Sequence, residues 1–141
     1  MVSGYFEGIL KELEPFFNCP LPIDQNNACL VKMGIGISVQ MELNRYSQLL
    51  VGVRLGSIEG AYANQLLVEA LKSNARSLPS TGVLGFKKKT RELILFLLLD
   101  PAEINKNRVE ELLPVFISKA KLWKDAISTS QIPQDQSHIL D

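Results

Sequence analysis

Ile35-Gly36-Ile37-Ser38-Val39-Gln40-Met41-Glu42-Leu43-Asn44-Arg45-Tyr46-Ser47-Gln48-Leu49-Leu50-Val51-Gly52-Val53-Arg54-Leu55 decides the fold. Its apolar side chains return at every second residue, the period of a strand, and its other positions carry glycine, serine, glutamine, glutamate and arginine. One buried and one wet face follow, on strands Ile35 to Leu43 and Leu49 to Leu55 joined by the turn Asn44-Arg45-Tyr46-Ser47. Cys29 to Met33 reads as a strand before them, with Gly34 supplying the tight turn, so an antiparallel three-strand meander is expected.

Downstream of Gly56-Ser57 the period lengthens to about 3.6 residues, and Ala63, Leu66, Leu67, Ala70 and Leu71 form one stripe of a helix. Its two alanines let another backbone come close, either the sheet or a second copy of the same helix. Val83 to Phe86 and Leu93 to Leu99 read as two further strands. The second is apolar throughout, so a central strand covered on both faces is expected. Asn107-Arg108-Val109-Glu110 resembles a helix-capping signature, and Val109, Leu112, Leu113, Phe116, Ala120, Trp123 and Ile127 supply the buried stripe of a last helix, with a kink expected at Pro114.

Upstream, Phe6, Ile9, Leu10, Leu13 and Phe17 recur at three- and four-residue steps on a first helix, which Pro15 should disfavour continuing. The order is therefore α-β-β-β-α-β-β-α: an α+β chain with a twisted antiparallel sheet packed with three helices. One domain, 1–127, is expected, with a polar, mobile tail at 128–141.

The 141 residues carry 15 Lys and Arg against 15 Asp and Glu, so no long-range field favours nucleic acid or an anionic membrane. The N-terminus lacks the charge and apolar pattern of a secretory signal, and Leu93 to Leu99 is far shorter than the roughly 20 residues that cross a bilayer. A cytoplasmic protein without stable membrane insertion is expected. Cys19 and Cys29 make neither a disulfide framework nor a zinc knuckle, and no metal site or cofactor motif is found. The single histidine, His138, sits in the polar tail, away from any nucleophile. Glu12 with Glu14, and Glu110 with Glu111, read as solvated helix faces rather than catalytic carboxylates. No catalytic residues are assigned.

Lys87-Lys88-Lys89 with Arg91 is the one concentration of charge, preceded by Gly82-Val83-Leu84-Gly85. In RNA-clamping domains the short glycine loop separates two helices, whereas here it begins a strand, which favours a solvated hairpin end. RNA binding through the Lys87–Arg91 turn stays as an alternative, as does a dimerisation or regulatory module that binds a folded partner.

The element order over Tyr5 to Ile127 resembles that of the class I chaperones of bacterial type III secretion, the SycE/CesT-like fold. The resemblance rests on that order, on the Leu49 to Leu55 strand running into an alanine-leucine helix, and on the closing Leu112-Leu113, Phe116, Ala120, Trp123 helix. The Asp24-Gln25-Asn26-Asn27-Ala28-Cys29-Leu30 lead-in to the first strand is similar to that of chlamydial members. The resemblance implies a cytosolic homodimer, or a heterodimer with a second chaperone. It implies binding of the nonglobular N-terminal segments of secreted effector proteins, which are held extended and presented to the secretion ATPase and sorting apparatus without enzymatic activity.

Cargo is then expected in a groove between the first helix and first hairpin, lined by Phe6, Ile9, Leu10, Leu13, Phe16 and Phe17 with Leu30, Val31, Met33, Ile35 and Ile37; Phe16 and Leu30 depart from the core faces of their elements. The dimer is expected through Ala63, Leu67, Ala70, Leu71, Val83 and Phe86.

Overall fold

The computed structural model describes residues 2–25 and 27–133, and His138 with the rest of the tail beyond 133 lies outside them. Helix α1 (Val2–Phe17) leads to strands β1 (Ala28–Lys32), β2 (Ser38–Leu43) and β3 (Leu49–Ser57). Helix α2 (Gly60–Arg76), strands β4 (Val83–Lys87) and β5 (Glu92–Leu99) and helix α3 (Lys106–Ser128) follow, so the expected order of helices and strands holds. The five strands form one antiparallel sheet in the order β1-β2-β3-β5-β4.

Alternation along the strands sorts the sheet into two faces. Cys29, Val31, Val39, Met41, Val51, Val53, Leu93, Leu95 and Leu97 are buried in one core with Phe6, Leu10 and Leu13 of α1, Leu66 of α2, and Phe116, Ala120 and Trp123 of α3. All three helices thus contribute to the core on one side of the sheet. The opposite face carries Leu30, Gln40, Leu50, Gly52, Arg54, Ile94, Phe96 and Leu98, all exposed or half-buried.

Strand β5 therefore departs from expectation. It is interior, between β3 and β4, but β3 is the middle strand and the described residues cover only one face of β5. An unbroken apolar run reports how much apolar surface a strand offers, not which of its faces its own chain covers.

Several local departures have clear causes. Helix α1 runs through the exposed Pro15 and ends where Asn18 adopts a left-handed backbone (φ 56°), its N–H donating to the Glu14 carbonyl at 2.7 Å. Ile35 lies in the β1–β2 turn instead of a strand, and Gly36 (φ 81°), not Gly34, takes the left-handed position. The α3 cap is Asn105, whose side chain accepts from the Arg108 N–H at 2.9 Å, not Asn107. Helix α3 is one element through Pro114.

Candidate peptide-binding surfaces

A sheet can receive a foreign chain at an edge or on a bare face, and this sheet treats its two edges differently. On β4, Asn74 of α2 acts like a strand residue: its Nδ2 donates to the Leu84 carbonyl at 2.8 Å and its Oδ1 accepts from the Leu84 N–H at 2.9 Å. Lys119 of α3 donates to the Gly82 carbonyl just upstream, at 3.2 Å. That edge is occupied by side chains at Leu84 and just upstream at Gly82, which discourages strand addition there. Gly82 itself (φ 109°) is wedged so tightly that a Cβ there would lie 3.0 Å from both Leu95 and Phe116. The glycine is required by packing.

Among the described residues, only the first residue of β1 is covered. The Asp24 N–H donates to the Ala28 carbonyl at 2.8 Å, and Asp24 Oδ1 accepts from the Ala28 N–H at 3.0 Å. Backbone groups alternate sides along an antiparallel strand, so the amides and carbonyls of Leu30 and Lys32 face the same open side as those of Ala28. The loop feeding this edge is fixed by Glu14, which accepts from the Leu21 N–H at 3.1 Å, so Glu14 is a structural acceptor half-buried at the end of α1. Glu12, Glu110 and Glu111 are exposed.

The uncovered sheet face holds a trough of about 630 Å³, within the range of pockets that bind drug-sized molecules. Its floor and near wall are Leu30, Gln40, Leu50, Gly52, Ile94 and Phe96. Gln40, Gly52 and Phe96 lie side by side on three adjacent strands, so the missing side chain of Gly52 forms a notch between them. Arg54, Lys87 and Lys124 line the same trough from β3, β4 and α3, and Glu42 lines it from β2.

A third surface belongs to α2. Ala63, Leu66, Ala70 and Ser73 are buried against the core, whereas Val68 and Leu71 are 53% and 70% exposed, with Leu78 exposed just beyond the helix.

The expected cargo residues divide sharply. Phe6, Ile9, Leu10, Leu13, Val31 and Ile37 are buried in the core, Phe16, Phe17 and Met33 are half-buried, and Leu30 and Ile35 are 54% and 45% exposed. Nor do they line one groove, because Leu30 points to the bare sheet face while Val31 and the α1 stripe share the core. Among the expected dimer residues, Ala63 and Ala70 are core, Leu67, Val83 and Phe86 are half-buried, and Leu71 is exposed. Sequence reasoning missed Val68, Asn74 and the Gly52 notch. The Val68 to Leu71 spacing was a readable signal; the other two required the strand partners.

Cys19 is exposed and Cys29 buried. Burial, then the neighbouring Cys19, Asp24 and Glu14, push the Cys29 thiol up from its ordinary value, so it is held protonated and inert as a nucleophile. Among the described residues no group of three or more His, Cys, Asp or Glu could hold a metal ion, and no helix is long and apolar enough to cross a membrane.

Residues 8–124 match the family model described as "Tir chaperone protein (CesT) family". Solved structures of the same fold include the HopA1-SchA chaperone-effector complex: 13% identity, TM-score 0.70, covering 88% of this chain and 96% of that one. The ExsC-ExsE complex gives 15% identity and a TM-score of 0.68 over 95% of this chain and 98% of that one. The Yersinia pestis type III secretion chaperone SycH, in complex with a stable fragment of YscM2, gives 17% and 0.64 over 82% and 96%. No curated protein sequence matches significantly.

Proposed function

The chain belongs to the Tir chaperone (CesT) family, and on that premise we propose that it is a non-catalytic secretion chaperone. It acts in the bacterial cytoplasm, binds the nonglobular N-terminal segment of secreted effectors, keeps that segment extended and delivers it to a type III secretion apparatus. The observation that carries this reading is the β1 edge, left open at Leu30 and Lys32 among the described residues, while Asn74 occupies the β4 edge at Leu84. An extended segment adding there gains main-chain hydrogen bonds, and its alternate side chains can meet Leu30 on one face, with the half-buried Met33 just beyond the end of the strand. The segment stays unfolded because a chain paired along a foreign edge is not free to build its own core.

Two copies associate through the exposed Val68 and Leu71 of α2, with the half-buried Leu67, Val83 and Phe86 beside them. Delivery involves the secretion ATPase and its sorting platform, and no cofactor enters.

The test is binding of purified chain to separate fragments of effectors encoded with it, measured by calorimetry, with amide exchange mapping the contact. Binding to N-terminal segments, with new protection at Leu30 and Lys32, is the expected result. Binding only to folded effector domains would replace the chaperone reading with a regulatory module.

A further inference from the structure

The strand register brings two hairpin turns that are distant in sequence to one end of the sheet. Lys32 pairs with Ser38 across the first turn and Lys87 with Glu92 across the second, while Ser57, the last residue of β3, lies opposite Glu92. Strands lie about 4.8 Å apart, so the β1–β2 and β4–β5 turns sit about 14 Å from one another along a single rim.

The two turns differ in chemistry. Ile35 stands at the apex of the first, between Gly34 and Gly36, and is 45% exposed. The turn is closed beneath it: the Met33 N–H donates to the Ile37 carbonyl at 2.7 Å, the Gly36 N–H donates to the Met33 carbonyl at 3.2 Å, and Met33 packs against the core. The second turn carries Lys87, Lys88, Lys89 and Arg91, all exposed, and Lys32 and Arg54 are exposed at the same end of β1 and β3. It too is anchored, because the Arg91 carbonyl accepts from the Ile58 N–H at 2.9 Å and the Arg91 guanidinium lies 5.7 Å from the centre of the Phe86 ring. Among the described residues none of these cations forms an ion pair. Against them this end sets the half-buried Glu92 and the exposed Glu59 that precedes α2; Glu42 and Asp100 belong to the opposite end, where β2 and β5 finish.

A chain with 15 cations and 15 anions therefore has a basic rim with an apolar tip beside it. Exposed cations are screened beyond about 8–10 Å, so the rim acts on a surface in contact with it and not from afar. A nucleic acid or an acidic peptide uses the cations and leaves an isoleucine idle in the contact. An anionic bilayer uses both, with lysine and arginine at the headgroups and the aliphatic side chain among the acyl chains. We propose that this rim is a peripheral, reversible docking site for an anionic lipid surface. The inference does not rest on the chaperone reading.

The test is co-sedimentation of the full chain with vesicles of phosphatidylcholine containing phosphatidylglycerol, against vesicles of phosphatidylcholine alone. The anionic vesicles should bind the chain at least about tenfold more tightly and release it as salt is raised. Each cation at such a surface contributes about fivefold, so K88E/K89E/R91E should weaken binding by about a hundredfold. Ile35→Ser should weaken it by about fivefold. Ile35→Trp should strengthen it, and the emission of the introduced indole should move to the blue on the vesicle while the buried Trp123 stays constant. The replaced side chains are exposed, so circular dichroism of all three variants should match that of the unaltered chain.

Equal binding to the two kinds of vesicle, or undiminished binding by folded K88E/K89E/R91E or by Ile35→Ser, overturns the proposal. So does displacement of the chain from anionic vesicles by single-stranded RNA or a glutamate-rich peptide at concentrations below that of the lipid, which would give the rim to that partner. Binding of effector N-terminal segments with no binding to vesicles sinks the lipid site and leaves the chaperone reading standing. Binding to anionic vesicles with no effector segment bound does the reverse.

Discussion

Replacing Asn74 by alanine removes two hydrogen bonds at once, both to the backbone of Leu84, a residue 5% exposed on β4. A net hydrogen bond contributes about 0.5–1.5 kcal/mol, and a buried group left without a partner costs about 1–3 kcal/mol. Water reaching an edge strand recovers part of that loss, so Asn74→Ala should cost about 2–3 kcal/mol. With a urea slope of about 1–3 kcal/mol per molar, the unfolding midpoint falls by about 0.7–3 M. Trp123, the only tryptophan, is fully buried and reports the transition by fluorescence. The variant should also aggregate sooner, because the β4 edge becomes available for pairing. Asn74→Asp is the sharper control: it keeps an acceptor for the Leu84 N–H but sets a carboxylate against the Leu84 carbonyl, so it should be no better than alanine. A loss below about 0.5 kcal/mol for Asn74→Ala, with unchanged solubility, would refute the idea that this side chain closes the edge.

Gly82→Ala combines a left-handed backbone with a Cβ 3.0 Å from Leu95 and Phe116, and thermal unfolding should show a loss of about 2–4 kcal/mol. Cys19 should react with a thiol reagent in the native protein while Cys29 stays silent until urea is added, a difference that a colorimetric titration counts directly. Because the folded state raises the Cys29 pKa, its contribution to stability is complete below the unfolded thiol's ordinary value. It is lost as pH rises toward the folded value, so stability in Cys29→Ser should fall less steeply at alkaline pH. Leu71→Glu should leave circular dichroism unchanged and abolish dimers in gel filtration, whereas Ala70→Glu, at a site 5% exposed, should unfold the chain.

Periodicity alone determined the element order and the α+β class, because the period of two in Ile35 to Leu55 and the helical period from Ala61 onward are local consequences of backbone geometry. The same signal placed Phe6, Leu10, Phe116 and Trp123 on core stripes, where the structure buries them. It does not tell a stripe that its own chain buries from one left for a partner: Phe6, Ile9, Leu10 and Leu13, expected to line a cargo groove, are core. Tertiary structure decided which surfaces remain open. Asn74 became an edge closure only because α2 runs beside β4, and Gly52 became a notch only because Gln40 and Phe96 flank it on neighbouring strands. Burial on one face is written in a segment's own spacing, whereas exposure on the other depends on what the rest of the chain brings alongside.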